Sequence, residues 1–300
     1  MNKLSRLVSG LWNRSPRENL ARLRGAPPQP PAGPPTWCLS TGRVGTQTVA
    51  ALAGLAPGID AVHEPAPHLF GLSKQAYVSA VETRPADDPL RAALRAGVEA
   101  CRSQEQLAGK RYLETSPQGT FVAPLLLELF PESRFIHIVR DPVEVIRSGM
   151  RRGWYDGHAY DAWRIVPRPR PTLDKAWDLM TVFEKNTWNW TATNRWILEF
   201  VETLPEDRWC RLTSDQLFAD DPEAISTLFD FLEVPTPSPS ARRSVLGQVL
   251  NAQRTGDFPQ ADDWAEGQLA AVELMAGPLW QQLRLPPDRS AADIGHDSDA

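Results

Sequence analysis

After residue 35 the chain alternates short apolar runs with stretches of helical period. Thr36-Trp37-Cys38-Leu39 reads as a strand, and so do Ile59 to Val62, Arg111 to Glu114, Arg134 to Val139 and Arg208 to Leu212. Between them, a helix starts near Thr46, runs on through Val49 to Leu55 and stops at Pro57-Gly58. Leu90, Ala93, Leu94, Gly97, Val98 and Cys101 fall on one face of a helix over 89–108. Further helices are expected over 121–130, after Pro142, and from about Leu173 to Leu204. Strands alternating with helices predict an α/β fold, a mostly parallel central sheet flanked by helices. Right-handed crossovers place the strand-to-helix loops along one edge. Ligands of such sheets bind beyond the carboxyl ends of the strands, so the chemistry belongs in those loops.

Composition changes this picture mainly at the ends. Lys3, Arg6, Arg14, Arg17, Arg22 and Arg24 face one acid, Glu18, and a run of prolines follows from Pro27 to Pro35. Residues 1–35 therefore read as a basic, Pro-rich extension, 36–285 as the folded domain and 286–300 as a polar tail. Leu4, Leu7, Val8, Leu11 and Trp12 give residues 3–13 the spacing of a short amphipathic helix. It is either an arm docked on or frayed from the body, or a weak peripheral contact with an anionic membrane surface. A net charge of −5 over 300 residues argues against a nucleic-acid partner. No run of 18 apolar residues occurs. Cys38, Cys101 and Cys210 lie too far apart for a zinc site or a disulfide framework, and nothing else forms a metal site. A reducing, cytoplasmic compartment is the default expectation.

Two loops carry the chemistry. Ser40 to Thr48 (Ser-Thr-Gly-Arg-Val-Gly-Thr-Gln-Thr) follows the first strand and runs into a helix. Read alone, it is an ordinary turn before a helix or an anion cradle. Its place after the first strand favours the cradle, with loop amides and a helix N-terminus facing the ligand. A nucleotide kinase would need Gly-x-x-x-x-Gly-Lys-Ser/Thr, with the lysine and a metal-bound hydroxyl neutralising a γ-phosphate. Here the glycines are closer and no lysine follows Gly45. That points away from ATP and toward a less charged sulfuryl group. The second loop, Arg140-Asp141-Pro142-Val143-Glu144, leaves the fourth strand with an N-cap aspartate, proline at the first helical position and a capping-box glutamate. Arg140 offers a planar fork to a phosphate, and Ser148, about two turns on, adds a hydroxyl.

Together the two segments resemble the cofactor signatures of the sulfotransferase family that uses 3′-phosphoadenosine 5′-phosphosulfate (PAPS). Residues 40–48 look like its 5′-phosphosulfate loop. Arg140 and Ser148 look like its 3′-phosphate site. The resemblance implies a P-loop NTPase-like sulfotransferase fold over 36–285. It implies metal-free in-line transfer of a sulfuryl group to a hydroxyl or amine of a carbohydrate, lipid or small molecule. Arg43, Val44, Gly45, Thr46, Gln47, Thr48, Arg140 and Ser148 would then hold the donor. Arg254, in Gln253 to Phe258, faintly resembles the family's late basic–glycine loop. Cytosolic members commonly carry a lysine where this loop has Arg43. They also carry a histidine after the third strand, where this chain has Glu114-Thr115-Ser116-Pro117. Other branches use a glutamate as the base, and Glu64 after the second strand matches them; His63 is the competing base.

Trp154, Tyr155, Tyr160 and Trp163 fall in an irregular segment suited to a lid or acceptor wall. Arg151, Arg152, Arg168 and Arg170 form either a solvated rim or an attraction for an acidic glycan. Thr115 and Ser116 are placed to orient acceptor or sulfate. His137 reads as a core residue. A P-loop kinase or nucleotide hydrolase, or a non-catalytic nucleotide-binding protein that kept the fold, is the alternative to a sulfotransferase.

Overall fold

A computed structural model of the chain describes residues 33–167, 176–248, 256–285 and 287. The expected features of residues 1–32, and Arg168, Arg170 and Arg254, lie outside them, as does all but residue 287 of the tail. The described elements run in this order: β1 (Thr36–Leu39), α1 (Thr46–Ala53), β2 (Ile59–Val62), α2 (Phe70–Val81), α3 (Asp88–Ala108), β3 (Arg111–Glu114), α4 (Ala123–Leu129), β4 (Arg134–Val139), α5 (Pro142–Arg151), α6 (Val182–Val201), β5 (Trp209–Thr213), α7 (Ser214–Phe218), α8 (Pro222–Phe231), α9 (Pro239–Leu246), α10 (Glu266–Met275) and α11 (Gly277–Leu283).

The five strands form one parallel sheet in the order β2-β3-β1-β4-β5. Side chains alternate across it, as strand geometry requires. Trp37, Leu39, Tyr112 and Phe135 join Leu94, Val98 and Ile197 on one face. Cys38, Leu113, Ile136 and Ile138 join Trp190, Phe229 and Leu279 on the other. Each large apolar side chain so buried contributes about 1.5–3 kcal/mol, and the central strands are buried on both faces. No described helix is long and apolar enough to cross a membrane.

Two expectations shift. The helical stretch expected from about Leu173 is interrupted: residues 176–179 are helical, the helix breaks at Met180 and Thr181, and the long helix begins at Val182. Thr181 accepts from the Glu184 amide while the Glu184 carboxylate accepts from the Thr181 amide, a capping box that starts α6 there. Trp177 therefore lies before α6, edge-on to Trp188 at 5.1 Å. The fifth strand starts one residue later than Arg208, which ends a short 3-10 turn.

The topology places the site. From central β1 the chain crosses to β2 at one edge, returns to β3, and then fills β4 on the other side of β1. The loops leaving β1 and β4 thus part at their carboxyl ends, where parallel sheets open a crevice.

Candidate active site

A cleft of about 520 Å³ opens at that edge. Its floor is the 40–48 loop. Thr120 roots this loop by accepting from the Ser40 amide and donating to the Ser40 carbonyl, both at 3.0 Å. Gly42, Arg43 and Gly45 all take positive φ (77°, 62° and 80°), which curls the chain between β1 and α1. A Cβ on Gly45 would also fall 2.1 Å from the Phe218 ring, so only glycine fits beneath that ring. Helix α1 has no side-chain cap, which leaves its first amides to a ligand. Val44 turns its side chain into the core. Ser214 Oγ holds the loop by donating to the Val44 carbonyl at 2.6 Å, with the Val139 carbonyl at 3.2 Å as the alternative acceptor of its single proton.

The second signature meets the first directly. Arg43 Nε donates to Ser148 Oγ at 2.9 Å across 105 residues, and Arg140 Nη1 donates to the Arg43 carbonyl at 3.2 Å. Arg140 Nη2 pairs with Glu144 at 3.1 Å, while its Nε is buried and finds no partner among the described residues. Asp141 caps α5 by accepting from the Val143 amide at 2.8 Å, as its sequence predicts. Trp190, fully buried in α6, donates its indole N–H to the Arg140 carbonyl at 3.0 Å. The Arg43 guanidinium is lowered to about 10, chiefly by burial and then by the charges of Arg152 and Arg140, against which Glu64 acts.

His63 and Glu64 line the same cleft beyond β2. His63 Nδ1 lies 2.9 Å from the Thr115 carbonyl, which can only accept. Nδ1 therefore carries a proton. Glu64 sits at φ 47°, a left-handed conformation that costs a non-glycine residue about 1–3 kcal/mol. A second carboxyl lies behind them. Glu114, 3% exposed, accepts from the Tyr112 hydroxyl at 2.8 Å; its pKa is raised to about 7, chiefly by burial, with the Tyr112 bond opposing the rise and Glu64 adding to it.

Aromatic rings form the remaining wall. Tyr160 stacks on Phe70 at 5.0 Å, Trp163 lies over Gly71, and Arg164 lies on the Trp154 ring at 3.9 Å while pairing with Asp161 at 2.9 Å. About half of Tyr160 and Trp163 remains exposed at the mouth.

The sequence model of the sulfotransferase family matches residues 20–238. The chain belongs to the sulfotransferase family. No curated protein matches the chain. Among solved structures it is similar to the sulfotransferase domain from the curacin biosynthetic pathway: 19% identity over 85% of this chain and 93% of that one, TM-score 0.47. It is also similar to a sulfotransferase from Mycobacterium avium: 14% identity, 89% and 79% covered, TM-score 0.48.

In this sulfotransferase, Arg43, Gly45, Thr46, Gln47, Thr48, Arg140, Glu64 and His63 all line one cleft. Ser148 joins through its bond to Arg43. The wall residues divide: Trp154, Tyr160 and Trp163 face the cleft, whereas Tyr155 is a brace whose hydroxyl reaches Ile165 and Asn189. The two rim arginines among the described residues divide too. Arg152 lines the cleft, and Arg151 instead bonds the Gly256 carbonyl. His137 is a core residue, bonded to Asn194 at 3.0 Å and lowered to about 3 by burial and Arg211. Sequence reading passed over Phe70 and Ser73 of α2, Gln118, Phe121 and Phe218, all of which line the cleft. Only Phe70 carried a signal: with Ser73 and Tyr77 it marks the inner face of a helix that the surrounding prolines obscured.

Proposed function

We propose that this chain transfers the sulfuryl group of PAPS to a hydroxyl or amine acceptor. The observation that carries this reading is that Arg43 and Arg140 line one cleft and that Arg43 bonds Ser148, which does not itself line it. The fit to the donor rests on Arg140: its Nε is a buried donor without a partner among the described residues, at the carboxyl end of β4, and a nucleotide phosphate would satisfy it. Arg140 and Ser148 hold the 3′-phosphate, which separates this donor from ATP. The 40–48 loop and Arg43 hold the 5′-phosphosulfate. When bound, the donor supplies a sulfur atom that bonds the acceptor oxygen or nitrogen as its bond to the 5′-phosphate breaks, the electron pair staying on that phosphate.

Glu64 takes the acceptor proton. It faces the cleft with no hydrogen-bond partner among the described residues, within the field of Arg43 and Arg152. His63, fixed by Thr115, orients the acceptor beside it. Thr115 and Ser116 shape this corner from behind. The aromatic wall excludes water and aligns the acceptor, so the gain comes from alignment and charge stabilisation.

Titration calorimetry with adenosine 3′,5′-bisphosphate tests the donor site. Arg140→Ala is expected to weaken binding by about 10- to 100-fold, the worth of charge-assisted hydrogen bonds. Equal affinity in both proteins would remove Arg140 from the site.

A further inference from the structure

Four guanidinium groups line the cleft (Arg43, Arg140, Arg152 and Arg164) against one carboxylate, Glu64. Arg43 bonds Ser148, Arg140 bonds the Arg43 carbonyl and Glu144, and Arg164 pairs with Asp161. Arg152 is distinguished by its position. It caps the carboxyl end of α5, the helix that carries Ser148. Directly after it, Gly153 at φ 66° turns the chain into the aromatic wall that begins with Trp154. Arg152 thus stands at the joint between the donor half of the cleft and the acceptor half.

Its electrostatic neighbours fit that joint. Arg152 is the charged group that most opposes the charge on Arg43, ahead of Arg140. Glu64 in turn favours the charged form of both Arg43 and Arg152. The loop cation and the candidate base therefore share Arg152 as a neighbour. A group passing from the loop to an acceptor at Glu64 travels beside it.

We infer that Arg152 flanks the sulfuryl group during transfer and stabilises its oxygens, as a further cation beside Arg43. This rests on the donor and base assignments proposed above. Arg152 forms no covalent bond and keeps its proton. The bond from sulfur to the 5′-phosphate breaks with its electron pair on that phosphate, the acceptor atom bonds sulfur, and the acceptor proton goes to Glu64. A planar fork suits this place because it can serve two oxygens at once in a site sheltered from water. It also supplies charge stabilisation where the P-loop lysine is missing from the loop.

The test needs no acceptor. Calorimetry on the full chain compares PAPS with adenosine 3′,5′-bisphosphate, which has both phosphates but no sulfuryl group. Arg152→Gln is expected to bind the bisphosphate within about twofold of wild type and PAPS about tenfold more weakly, the worth of one charged contact. Arg152→Lys, which keeps the charge without the fork, should fall between, and it stands in if the glutamine variant does not fold. Equal weakening of both nucleotides would make Arg152 a phosphate or structural contact and overturn the inference. Unchanged binding of both would place it on the acceptor side and overturn it equally. If wild type bound PAPS and bisphosphate not at all, the donor reading itself would fall, and this inference with it.

Discussion

At the scale of single residues, the site separates by what each side chain can do. Glu64 is a carboxylate in the cleft without a hydrogen-bond partner among the described residues, whereas His63 is already tied to Thr115. Glu64→Gln is therefore expected to lower turnover by about 10²–10⁴, the worth of a general base, with donor binding intact. His63→Asn should cost less than about tenfold if its role is orientation. Steady-state rates with any accepted substrate decide it, and a larger loss at His63 would reverse the assignment. Gly45→Ala combines a left-handed backbone with a ring in the way. It should destabilise the fold by about 1–2 kcal/mol from the backbone alone, read as a lower melting temperature, and weaken bisphosphate binding, since the Phe218 ring must move. Much of this scale was written in the sequence. Arg43, Arg140 and Glu64 stand directly after strands, where parallel sheets present their loops. Gln118 and Phe218 were not legible, because they reach the cleft from a 3-10 turn and from the end of α7, whose directions only the folded sheet determines.

At the scale of elements, β4 and α6 work as a pair. Trp190 reaches from α6 to the carbonyl of Arg140 and fixes where β4 ends. Trp190→Phe keeps most of the apolar contact but removes the N–H. It should cost about 1–3 kcal/mol, because the carbonyl loses its partner in a buried place, and Arg140 should bind the bisphosphate less well in consequence. Chemical denaturation and calorimetry read the two effects separately. The strands were legible because Trp37 to Leu39 and Phe135 to Val139 are apolar runs buried on both sides. The break before α6 is hidden in the sequence because the helical pattern continues backward past Thr181 into residues 176–179, which are themselves helical. The decisive feature is polar: the reciprocal Thr181–Glu184 cap, which outweighs periodicity at a helix end.

At the scale of the whole molecule, two buried titrating groups shape stability against pH in opposite senses. Glu114 is raised from 4.5 to about 7. Between those values the folded state binds the extra proton, so stability falls as pH rises through that window. His137 is lowered from 6.5 to about 3. Between those values the unfolded state binds the extra proton, so stability falls as pH drops through that window. Each slope is about 1.4 kcal/mol per pH unit, and the two offset each other between about pH 4.5 and 6.5. Glu114→Gln keeps an oxygen for the Tyr112 hydroxyl and removes the first slope. It is expected to melt at the wild-type temperature near pH 4 and to gain up to about 3 kcal/mol at pH 8. A gap of the same size at both pH values would show that the carboxyl does not titrate in this range.

The bond from Arg43 to Ser148 has a consequence for how such a protein can change over generations. Neither signature can drift alone, because each sets the other's geometry. Compensation for damage in the glycine turn should arise in the helix that starts at Pro142, and the reverse. The two stretches form one heritable unit, although a hundred residues lie between them.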